Sequence, residues 1–295
     1  MSTDYLPYLL AFSAAVVFSL SSIVFTNFSR QVSALWMNTV KCLVATIGFL
    51  ILNQFFYGWH PVENNSLYAF FISGFIGLGI GDIFLLAAFA QIGPSRTLMV
   101  FGFTPLLTGL MGYMFFGQEM TALKFTAIFF MLLCLFIFSL EGYKKKGSWE
   151  IKGLLFALTG VLLDASGIGL TRYGFDLSPE VLPTEGNFYR CLGAIVAFIL
   201  ISRFKPIKVV ENFKTLTKRQ KYLVLVGSLG GTFLSLWLFL SAVRIGHLAS
   251  VSAIGVTGPF LAALFETIFY KEKPSKYLIA AGASFACGFF ILLSS

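Results

Sequence analysis

Ten continuous apolar runs, each close to the ~20 residues a helix needs to cross a bilayer, follow one another along the chain. They fall at about 7–28, 34–56, 66–90, 94–116, 122–140, 153–175, 184–203, 221–243, 248–270 and 276–294. The runs do not alternate apolar with polar, so spanning β-strands are excluded. Only 12% of the 295 residues are charged, against about 25% in a soluble domain, and mean hydropathy is +0.85. A water-soluble fold and a disordered chain are both ruled out. The expected fold class is an all-α polytopic membrane protein of ten transmembrane helices. The two longest joints, Glu141 to Lys152 and Lys205 to Gln220, are too short for a soluble domain. Function must therefore sit in the helices.

The net charge of +8 reads as basic cytoplasmic loops rather than a nucleic-acid surface. Cys42, Cys134, Cys191 and Cys287 all lie in apolar runs without CxxC or Cys/His spacing, so no disulfide, metal or cofactor is expected. The N-terminus, MSTDYLPYLL, has no basic segment and is not expected to be a cleaved signal peptide.

Internal repetition organises the rest. At a shift of 149, NTVKCLVA (Asn38 to Ala45) falls on NFYRCLGA (Asn187 to Ala194), with Lys41 on Arg190. At a shift of 153, Gly74 and Gly77 fall on Gly227 and Gly230, Gly102 and Thr104 on Gly255 and Thr257, and Glu119 on Glu272; Pro105 and Pro259 miss by one position. The chain divides into two five-helix units, 1–145 and 146–295. Five is odd, so the second unit enters the membrane inverted.

Loop charge tests the inversion. Tyr57 to Asn65 has no Lys or Arg, whereas its counterpart in the second unit holds Arg203, Lys205, Lys208, Lys214, Lys218, Arg219 and Lys221. Of 21 basic residues, 16 lie at the face opposite the N-terminus; Lys124, Arg172 and Arg244 lie at the N-terminal face, and Lys41 and Arg190 are deeper. The positive-inside rule then puts both termini outside the cytoplasm, on one side of the plasma (inner) membrane.

These features resemble the drug/metabolite transporter superfamily and its EamA-like members. The resemblance rests on the basic residues Lys41 and Arg190, and on AQIGPSRTLMVFGFTPLLTGLMGYMFFGQE with its copy VRIGHLASVSAIGVTGPFLAALFETIFYKE. It implies alternating access around a central cavity, often for export of amino acids or other metabolites. Members of the family generally keep their termini in the cytoplasm, and there the loop charges of this chain depart from the pattern.

An ionisable group at mid-bilayer costs about 2.5–3.5 kcal/mol on insertion scales. Lys41 lies roughly 10 Å and Asp82 roughly 12 Å from the same face at 1.5 Å per residue, so the two could pair. Asp164 is near the midplane and Arg190 about two turns into its helix. Asn38 and Asn187 each precede a basic residue by three positions and share its face. The expected substrate cavity comprises Lys41, Asn38, Asp82, Asp164, Arg190, Asn187 and Trp237. In it the cations would hold a carboxylate or phosphate, and an aspartate a proton or ammonium group. The competing readings are snorkelling of Lys41 and Arg190 to the headgroups and fixed structural ion pairs. Trp36 fits an aromatic belt better than a cavity, and Glu185 a solvated helix start. Glu266 is expected at an interface. Gly102, Pro105, Gly255 and Pro259 are expected hinge residues, because paired interruptions in corresponding helices mark transporter sites.

The leading function is secondary transport of a small organic metabolite, amino-acid-like or otherwise polar or aromatic, with export the expected direction. Its expected partners are that substrate and the lipid bilayer. Protons are a candidate coupling ion and a homodimer a candidate assembly. A channel or lipid scramblase is the alternative. An intramembrane enzyme is disfavoured, since the two histidines, His60 and His247, lie in loops and no HExxH occurs; nor is there a Walker sequence for ATP hydrolysis.

Overall fold

The computed structural model describes residues 5–92, 97, 100–146, 151–255, 257, 258, 260, 261, 264, 265 and 275–293. Among them all regular structure is helical. The helices are α1 Leu6–Gln31, α2 Ala34–Tyr57, α3 Asn64–Ile92, α4 Phe101–Phe116, α5 Ala122–Lys146, α6 Ile151–Leu177, α7 Pro183–Ser202, α8 Val209–Thr215, α9 Lys218–Ile245, α10 Leu248–Gly255 and α11 Lys276–Leu293. Six of them (α1, α2, α3, α6, α7 and α9) are long and apolar enough to cross a membrane.

Local chemistry sets their ends. The Ser33 hydroxyl accepts from the Trp36 N–H at 3.0 Å and starts α2, and Thr217 and Gln220 reciprocally cap α9, each satisfying amides that a helix start leaves open. Gly117, at φ +60°, ends α4 in a left-handed conformation that only glycine adopts cheaply. Pro183 occupies the first turn of α7, where a missing N–H costs nothing.

The packing pairs corresponding helices of the two units. α2 lies on α7, α4 on α10 and α5 on α11, while α3 packs between α6 and α7 and α9 packs against α1 and α2. Both α3 and α9 widen into π-type turns, Gly74–Gly81 and Leu229–Leu234. Their last residues are related by the shift of 153 found in the sequence (81 + 153 = 234). Wide turns alter the carbonyl ladder and concentrate at functional sites. Glycine also permits the closest crossing, between α3 and α7. A Cβ on Gly74 would strike the backbone of Arg190, and one on Gly193 the carbonyl of Phe71, so both positions exclude any side chain.

Lys205 to Gln220, expected as a plain joint, contains the short helix α8. Its Val209, with Ile207, Phe213 and Leu216, packs on a core cluster built around Phe25, Phe28, Trp36 and Phe89.

Candidate functional site

The helices surround a cavity. Its wall includes Lys41 from α2, Asp82 from α3, Asp164 from α6 and Arg190 from α7. Four ionisable residues that lie far apart in sequence thus share one enclosure. Phe18, Phe101 and Phe239 supply an apolar wall, and Thr104, Thr232, Ser235 and Ser252 add hydroxyls.

The two cations are only 2% exposed, so neither snorkels to a headgroup. Lys41 Nζ lies 2.5 Å from Asp82 Oδ2 and 5.4 Å from the centre of the Phe25 ring. This pair compensates its own charge. Arg190 is held differently. Its Nε donates to Ser73 Oγ at 3.0 Å, and that hydroxyl also engages Gly167 O and Thr171 Oγ1 at 2.7 and 2.6 Å. Among the described residues no carboxylate pairs with Arg190, and its two terminal nitrogens make no hydrogen bond. Asp164 has no hydrogen-bond or ion-pair partner among them either, although it lies within electrostatic reach of Asp82, Arg190 and Lys41. One satisfied ion pair therefore sits beside an uncommitted guanidinium and an uncommitted carboxylate. Leaving charges unmatched in a low-dielectric interior is costly, and a ligand of complementary charge removes that cost.

The other expected site residues fall elsewhere. Asn38 and Asn187 are buried but do not line the cavity. Asn38 Nδ2 donates to Leu78 O and Gly79 O at 2.8 and 3.0 Å, inside the wide turn of α3. Asn187 Nδ2 donates to Leu236 O at 3.0 Å, just past the wide turn of α9. Each asparagine satisfies carbonyls at a disrupted stretch of the neighbouring helix. Trp237 is outside the cavity wall and meets Tyr57 edge-on, with ring centres 6.2 Å apart. Trp36 is not an interfacial residue: it is fully buried and its Nε1 donates to Val209 O at 3.2 Å.

Glu185 is not solvated. It is fully buried, with Oε1 accepting from the His60 N–H at 2.6 Å, and Oε2 accepting from the Leu182 N–H at 2.7 Å and lying 3.0 Å from His60 Nδ1. Of the expected hinge residues, Gly255 lines the cavity. Gly102 lies in a tight 3-10 turn at Phe101–Phe103, and Pro105 follows in the first turn of the α-helical part of α4. Pro259 and Glu266 lie outside the described residues.

Sequence reasoning passed over Ser73 and Thr171, which brace Arg190. It also passed over Thr104, Thr232 and Ser252, whose buried hydroxyls have no hydrogen-bond partner among the described residues. A serine or threonine in an apolar run ordinarily bonds back to its own helix, as Thr108 does to Thr104 O at 2.9 Å. Residue type alone gives no signal that three of them do otherwise.

Comparison with known proteins adds the family. The model of the EamA-like transporter family matches twice, over residues 6–140 and 151–294. An uncharacterized transporter of Archaeoglobus fulgidus is 25% identical over 277 residues, 92% of each chain. Dipeptide and tripeptide permease B of Aliivibrio fischeri is 32% identical over 111 residues, which are 38% of this chain but only 22% of the permease. A protein crystal structure superposes with a TM-score of 0.77 over 98% of this chain and 96% of its own, at 14% identity; that likeness concerns the fold alone. With long apolar helices, a charged cavity and two successive matches to one family model, the chain is a multi-pass membrane transporter for a small molecule and belongs to the EamA-like transporter family.

Proposed function

We propose that the chain is a ten-span secondary transporter that carries a small zwitterionic, amino-acid-like solute across the plasma membrane by alternating access. The observation that carries this reading is the uncommitted pair in the cavity. The free fork of Arg190 suits a carboxylate, which it can meet through two parallel hydrogen bonds, and Asp164 suits an ammonium group. The phenylalanine wall suits an apolar solute body. When the solute leaves, Asp164 is the group that can take a proton in its place, which would couple transport to the pH gradient.

Residues 1–145 and 146–295 act as inverted halves in this reading. Two arginines support it. Arg30, at the end of α1, donates from Nε to Ala90 O of α3 at 3.0 Å. Arg172, near the end of α6, donates from Nη1 to Val243 O of α9 at 2.9 Å and to Gly246 O at 3.1 Å. Ala90 and Val243 are related by the repeat shift (90 + 153 = 243). In the inverted arrangement the two latches close opposite ends of the bundle, one per half. Loop charge supports termini outside the cytoplasm.

A solute screen in proteoliposomes, with and without a pH gradient, tests the reading. Saturable uptake of a zwitterion that responds to the gradient is expected. Unsaturable flux, or phospholipid flipping without solute transport, would replace the carrier with a channel or scramblase.

A further inference from the structure

Away from the cavity, residues 203–221 join α7 to α9 and carry the seven basic residues named above against one acid, Glu211. Lys208 pairs with Glu211 at 3.6 Å; the other six cations have no ion-pair partner among the described residues. The segment has two distinct faces. Ile207, Val209, Phe213 and Leu216 pack inward on the core, and the Trp36 indole holds Val209 O. Phe204 and Val210 point the other way, 92% and 63% exposed. Phe204 lies two residues beyond the end of α7, a helix of membrane-spanning length. The corresponding joint between α2 and α3 has no basic residue and is tied down by His60 and Glu185.

We propose that residues 203–221 form a docking surface for anionic phospholipid headgroups. The exposed Phe204 and Val210 enter the acyl boundary, and the unpaired lysines and arginines meet the lipid phosphates. Charge complementarity selects the occupant: six uncompensated cations beside exposed apolar side chains favour an acidic lipid over a zwitterionic one. Because the inner face is fastened to Trp36 at the start of α2 and runs directly into α9, a bound lipid also fixes two helices that line the cavity. The proposal stands independently of the solute assigned to that cavity.

The test is lipid retention by the detergent-purified full-length chain, measured by native mass spectrometry with phosphatidylglycerol or phosphatidylcholine added. Preferential retention of phosphatidylglycerol is expected. Lys205→Gln, Lys214→Gln and Lys218→Gln combined should weaken it by about fivefold per charge removed, whereas the three corresponding Lys→Arg changes should preserve it. Elution as a monodisperse species in size-exclusion chromatography confirms that the glutamine variant folds. Equal retention of the two lipids by the unaltered chain, or phosphatidylglycerol retention unchanged in the folded glutamine variant, would overturn the proposal.

Discussion

Lys41 and Asp82 sit at similar depths in neighbouring apolar runs, and depth alone was enough to suggest their contact; they meet at 2.5 Å. Asp164 and Arg190 could be placed at depth but not paired, because which faces of α6 and α7 meet depends on helix rotation. The structure leaves both uncommitted, and this difference predicts different mutational outcomes. Asp164→Asn keeps the shape and removes the charge, so transport in proteoliposomes should fall to background while expression and membrane insertion stay normal. Normal transport by that variant would remove Asp164 from the mechanism. Lys41→Met, by contrast, strands the buried Asp82 carboxylate. Losing one partner of a buried pair costs about 3–5 kcal/mol, so the variant should show a lowered unfolding temperature before any specific loss of transport. Asn38 falls outside the cavity wall for a physical reason. It shares a helix face with Lys41, but its amide is consumed by carbonyls of the wide turn in α3, and no sequence pattern announces a π-type turn. Asn38→Ala leaves those acceptors unsatisfied at about 1–3 kcal/mol, a loss that thermal unfolding would register.

Helix existence was readable from apolar length, but helix ends and interruptions were less so. Pro105, expected at a break within a span, directly follows the 3-10 turn Phe101–Phe103 and lies in the first turn of the α-helical part of α4, where its missing N–H costs nothing. At this scale the latches carry the clearest prediction. Arg30→Gln should expose the cavity toward the face bearing most of the loop lysines, and Arg172→Gln toward the opposite face. Accessibility of a cavity cysteine to an impermeant thiol reagent from each side reads both effects; identical behaviour of the two variants would disprove the paired-gate reading. The joint between α9 and α10 adds a pH effect. His247 Nε2 lies 3.1 Å from Glu119 O, and the Leu248 N–H donates to Gln118 Oε1 at 3.0 Å, so this joint is stapled to the end of α4. Burial, aided by the charges of Lys124 and Arg172, lowers the His247 pKa from 6.5 to about 4, against an opposing pull from Glu119 O. The unfolded chain binds the proton more readily, so stability is lost as pH falls from about 6.5 toward about 4. His247→Gln should flatten the dependence of unfolding temperature on pH in that window.

For the whole molecule, two signals were legible without coordinates. The repeat shift of 153 reappears as the register of the wide turns in α3 and α9 and as the paired carbonyl acceptors of Arg30 and Arg172. The apolar runs anticipated the helical bundle. The shape of the cavity was not legible, because the enclosure is made by the packing of α1, α2, α3, α4, α6, α7, α9 and α10, and packing rests on close approaches such as Gly74 and Gly193 that composition does not reveal. The central claim is that this cavity is the solute site and is reached from each side of the membrane in turn. Its most direct test uses a Ser235→Cys chain with the four native cysteines replaced by alanine, labelled in sealed vesicles by an impermeant maleimide. Reaction from both sides, slowed by a transported solute, is the predicted result. Reaction from one side only, whatever the direction of the solute gradient, would contradict it.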